Sequence, residues 1–94
     1  MFMAMPEDGF RYTKGVAKKF SRSDLETPVT REFCPDCGTH LLTRSPKRPS
    51  AVILKVGSLD DPSIYGMPDV AIFTCDQQSF HQIPAGTKGF DKRP

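Results

Sequence analysis

Cys34 and Cys37, in the run Cys34-Pro35-Asp36-Cys37-Gly38, are the residues of this chain best suited to chemistry. Two thiolates at that spacing can grip one metal ion. A Gly directly after the second Cys can take positive φ and let backbone N–H groups turn toward the sulfurs. The pattern is that of a zinc knuckle, which supplies two ligands where structural zinc wants four. A redox pair shares the spacing, but it sits at the start of a helix whose dipole lowers the thiol pKa. Here Gly38-Thr39 and the strand-like Leu41-Leu42-Thr43 follow instead, and Pro35 and Gly38 favour metal over a redox or inert pair. A zinc ribbon would need a second Cys pair about 15–20 residues away, and the chain has none.

Candidates for the remaining ligands are His40, Cys75 and His81. His40 follows Cys37 by three residues and could reach a metal, although a His there is more often a half-exposed strand residue. Cys75 follows an apolar strand and reads as a small buried hydrophobe. His81, in Ser79-Phe80-His81-Gln82, could be a ligand or a general acid/base, but a lone loop His is usually neither. Asp60-Asp61-Pro62 resembles paired carboxylates, yet adjacent turn residues point apart and stabilise the turn. Arg44, Lys47 and Arg48 form a basic loop that could meet an anionic ligand and that reads first as solvated surface. Met1, Met3 and Met5 share one strand face, where core packing outranks a copper site. There is no Gly-rich phosphate loop.

The elements that must position these residues are short. Nine Pro and seven Gly in 94 residues argue for brief strands joined by turns. Strands are expected at Met1–Met5, closed by the turn Pro6-Glu7-Asp8-Gly9, at Phe10–Thr13, within Val16–Phe20, at Val29–Cys34 leading into the knuckle, and at Leu41–Thr43 leaving it. Ala51–Val56 is the strongest strand, β-branched and bounded by Ser50 and Gly57. Val70–Thr74 is another, and the chain from Pro84 onward runs over the surface. The expectation is one all-β, antiparallel domain over residues 1–94, with the knuckle at one edge. A chain of this size buries only about 60–65% of its unfolded surface, so a metal staple would help it. A net charge of +2 is too weak to imply a nucleic-acid partner. No apolar run approaches the roughly 20 residues needed to span a bilayer, and charges near the start disfavour a signal peptide. An odd count of three Cys, two in knuckle spacing, fits a reducing, cytoplasmic setting better than a disulfide framework.

Several phrases together resemble one family. They are Phe10-Arg11-Tyr12-Thr13-Lys14-Gly15, Arg31-Glu32-Phe33-Cys34-Pro35-Asp36-Cys37-Gly38-Thr39, Val56-Gly57-Ser58-Leu59-Asp60-Asp61-Pro62, and Met67-Pro68 through Ile72-Phe73-Thr74. They resemble the glutathione-dependent formaldehyde-activating enzymes, a family that includes centromere protein V. The resemblance implies a β-tent fold and two zinc sites. One is structural, shared by an early Cys-x-Cys and a late Cys-Pro-x-Cys-Gly, and Cys34 and Cys37 match the late half. The other is catalytic, built on a middle Cys-x-Cys-x-x-Cys motif. It is associated with carbon–sulfur lyase chemistry on the adduct of glutathione and formaldehyde. Neither earlier motif occurs in this sequence. The resemblance therefore implies an N-terminally truncated member with half a structural zinc site, and no catalytic residue can be carried over. It also leaves two partner readings. One is glutathione or a small thiol adduct. The other is a homodimer in which two chains share one zinc, prompted by sheet edges left unpaired.

Overall fold

The computed structural model describes all 94 residues, Met1–Pro94. The protein is all-β, with only single turns of 3-10 helix between strands. It divides into two compact units, Met1–Pro62 and Ser63–Pro94. No helix is long and apolar enough to cross a membrane.

The first unit is a five-stranded antiparallel sheet. Its strands are β1 (Phe2–Pro6), β2 (Lys18–Phe20), β3 (Thr30–Phe33), β4 (His40–Arg44) and β5 (Ala51–Lys55), in the order β1-β5-β4-β3-β2. Directly opposed residues share a face. The pairs Met5–Val52, Met3–Leu54, Leu54–Leu42 and Leu42–Glu32 therefore run across one side of the sheet. The small core lies on that side, with Leu42 at 1% exposure and Val52 at 0%, and Val56 buried just beyond β5. Met3 is half-buried, whereas Met1 and Met5 are exposed, so the methionine face is only partly core. The two edges are β1 and β2. Lys18 and Lys19 guard β2 with charge, and Pro6 ends β1, both common protections of an open edge.

Phe10–Thr13 is not a strand. The Phe10 N–H closes the turn at Glu7 (3.1 Å) instead of joining a ladder, and Tyr12 is drawn to a side-chain partner on β3. The rings of Phe10 and Tyr12 pack edge to face with centroids 5.1 Å apart. Arg44 is likewise not a loop residue. It ends β4, and its guanidinium pairs with two carboxylates, so the expected solvated basic loop loses its first member.

The second unit departs from the antiparallel expectation. Here β6 (Val70–Ala71) and β7 (Lys88–Gly89) pair in parallel, and the segment beyond Pro84 thus contributes a strand. The expected strand Val70–Thr74 stops early because Phe73 is left-handed, at φ 54° and ψ 41°. That conformation costs an L-residue roughly 1–2 kcal/mol. Backbone bonds from Phe73 and Thr74 to the carbonyls of Lys92 and Phe90 hold it.

Leu42 sits at the centre of the buried face. Replacing it with Ala should lower stability by about 2–5 kcal/mol, seen as a lower urea midpoint with an unchanged slope.

Candidate functional site

Cys34 and Cys37 lie at the tip of the β3–β4 hairpin. The pairing between these strands changes register after Glu32: Glu32 opposes Leu42, but Phe33 opposes His40, so Leu41 is an extra residue on β4. Such a bulge re-aims the strand beyond it. The new register continues outward, and the Cys34 N–H donates to the Thr39 carbonyl at 2.9 Å. Between them the chain makes one turn, closed by the Gly38 N–H on the Cys34 carbonyl at 2.8 Å. Gly38 has φ 79°, a left-handed value that lets the chain re-enter the sheet and that a side chain would strain.

Both thiols are free. Cys37 is exposed and Cys34 is half-buried. The Cys37 sulfur hydrogen-bonds the Thr39 hydroxyl at 3.1 Å. That bond, then the Thr39 backbone, then a bond with the Cys34 thiol hold Cys37 below its ordinary pKa, and Asp36 opposes them. The two thiols are unbonded, and β4 follows the turn with no helix. No group of three or more His, Cys, Asp or Glu side chains comes together to hold a metal.

His40 does not join the sulfurs. Its Nε2 donates to the Leu42 carbonyl at 3.0 Å and lies 3.1 Å from the Thr43 hydroxyl, so the ring is tied to its own strand. Cys75, in the second unit, is exposed and not the buried hydrophobe expected. The 3-10 turn Thr74–Asp76 that follows the left-handed Phe73 accounts for the difference. His81 accepts the Gln78 N–H at Nδ1 (2.9 Å) and closes a local turn. Two clefts in the first unit, one lined by Pro28, Thr30, Arg44 and Ser45, the other by Met5, Glu7 and Ser50, include neither Cys34 nor Cys37.

The family model for the glutathione-dependent formaldehyde-activating enzyme matches residues 1–76 of the chain. The chain belongs to the glutathione-dependent formaldehyde-activating enzyme family. No curated protein and no solved structure matches it.

The match takes in the hairpin tip of this formaldehyde-activating-family chain and a charged cluster that no motif marks. Glu32 is only 2% exposed. Its Oε2 accepts from Arg44 Nε at 2.6 Å and its Oε1 from the Tyr12 hydroxyl at 3.0 Å. Arg44 Nη1 also donates to Glu7 Oε1 at 2.9 Å, and its guanidinium lies 5.9 Å from the Phe10 ring centre. Glu32 is opposite Leu42 on the apolar face, a placement that only the register reveals. Desolvation, then the hydrogen bond to Glu32, push the Tyr12 hydroxyl up to about 12.

The rise in the Tyr12 pKa means that the folded state favours the neutral phenol. Its contribution to stability should be complete below pH 10, its ordinary value, and be lost as pH rises through about 12. A tyrosinate absorbance titration of the Tyr65→Phe chain should show this late transition. Glu32→Gln should move it down toward the ordinary value, and an unmoved transition would remove Glu32 as a cause.

Proposed function

We propose that this family member belongs to glutathione–formaldehyde adduct chemistry of the carbon–sulfur lyase type. In this reading Cys34 and Cys37 are two ligands of a structural zinc, and the chain by itself is catalytically silent. The observation that carries the reading is the family match together with two free, adjacent thiols at a hairpin tip. The silence follows from the sequence. All three cysteines are accounted for by the tip pair and Cys75, and none stands in a Cys-x-Cys motif. Glutathione or a small thiol adduct is the ligand class the family supports, and a reducing, cytoplasmic setting suits the free thiols. An NMR assay of S-hydroxymethylglutathione formation from formaldehyde and reduced glutathione should give the same rate with and without the chain. Acceleration proportional to chain concentration would overturn the silence.

The two-thiol tip favours a second reading, a non-catalytic zinc module. Two chains, each giving Cys34 and Cys37, would supply the four thiolates that a closed tetrahedral site takes. Native mass spectrometry of the zinc-loaded chain should then show one zinc per dimer. It should show zinc-free monomer for Cys37→Ser. A zinc-loaded monomer would refute sharing.

A further inference from the structure

The register sorts the charges of the first unit by side of the sheet. Opposed residues share a face, so Phe2 lies with Lys55, and a row runs from Ala4 through Ile53, Thr43 and Arg31 to Phe20. Lys18, two residues before Phe20, is on the same side. This side is turned away from Leu42, Val52 and Glu32. Its strand residues include Lys18, Arg31 and Lys55 and no Asp or Glu. None of these three cations is in an ion pair, because Glu32 and Glu7 are bound to Arg44, and Asp24 to Arg22. A net charge of +2 for the whole chain conceals that separation. Two rings stand among the cations, Phe20 at 52% exposure on the β2 edge and Phe2 at 39% on the β1 edge. The Lys55 ammonium lies 5.6 Å from the Phe2 ring centre.

We propose that this face binds a single-stranded nucleic acid, with Phe20 and Phe2 as stacking platforms for bases and Lys18, Arg31 and Lys55 as phosphate contacts. Every base has a π-face and every link of the strand a negative phosphate, so exposed rings beside unpaired cations suit it. Five strands about 4.8 Å apart make the face roughly 19 Å wide. A strand crossing it from β1 to β2 meets Phe2, Lys55, Arg31 and then Phe20 with Lys18. A duplex hides its base faces and leaves the rings nothing to stack on. A bilayer takes apolar side chains that project together, whereas here the rings stand at opposite edges with charge between them. Recognition through phosphates and base faces carries little sequence preference.

The test uses the full chain and a fluorescein-labelled oligothymidylate of about twelve nucleotides, with anisotropy as the readout over a series of salt concentrations. The single strand should bind, and a duplex of the same length should bind at least about tenfold more weakly. Phe20→Ala should weaken binding about fivefold or more, as loss of one stacked base does. The triple variant Lys18→Gln, Arg31→Gln, Lys55→Gln should flatten the slope of log affinity against log salt by about two, the share of three phosphate contacts. The same loss of charge elsewhere, by Lys14→Gln, Lys47→Gln and Arg48→Gln, should leave that slope unchanged. The chain has no Trp, so Phe20→Trp adds a single indole reporter. That variant should keep its affinity, and its fluorescence should be quenched as the strand binds. Circular dichroism of each variant confirms that it is folded before its affinity is read. No binding, equal binding of duplex, an undiminished Phe20→Ala or an unquenched indole would overturn the proposal. Oligoglutamate, or vesicles of equal parts phosphatidylserine and phosphatidylcholine, bound as tightly and with the same loss on Phe20→Ala, would overturn it too. The face uses neither Cys34 nor Cys37, so its failure would leave the lyase and zinc readings intact.

Discussion

A carboxylate taken out of water costs several kcal/mol unless a cation meets it in good geometry, and in this protein Glu32 is met by Arg44 at 2.6 Å. The rest of the first unit is arranged around that requirement. Glu32 lies on the apolar face beside Leu42, so its partner has to come from the same face, and Arg44 at the end of β4 does so. Arg44 is in turn shared with Glu7, just past β1, while Tyr12 fills the second oxygen of Glu32. Strands far apart in sequence and one irregular segment thereby converge on a single charge. Such a network is weak evidence of net stability, because apolar residues could fill the same space. Losing one partner would still be expensive, since it strands a charge.

The pair also selects a register. Slipping β3 by one residue would turn Glu32 outward and bring Arg31 onto the core face. Satisfied where it is, the pair holds β3 against β4 on the inner side of the bulge. Beyond the bulge the register is different, and only there do Cys34 and Thr39 face each other across the turn. The hairpin is thus anchored at its base by charge and backbone pairing, and free at its tip. An anchored base with an exposed tip leaves Cys37 open to solvent at the end of the hairpin.

The thiol-centred character of the tip agrees with a family whose chemistry involves glutathione, and it is separate from the ion-pair network that keeps the sheet in register.

Local sequence already determined much of this. β-branched runs, alternation and abundant Pro and Gly specify short strands and turns, and the expected strand Ala51–Val56 forms over Ala51–Lys55, with Val56 opening a 3-10 turn. Cys-Pro-Asp-Cys-Gly specifies a tight turn with a left-handed Gly, because few other residues fit there. Phe10–Thr13 and Val70–Thr74 misled because their alternation is local, while a side-chain bond to Glu32 and a left-handed Phe73 depend on distant residues. For the same reason the sequence could not say that His40 turns toward its own strand, that Cys75 is exposed, or that Glu32 is inside. Those outcomes hang on register, and register is decided by pairing between segments, which no single stretch of chain contains.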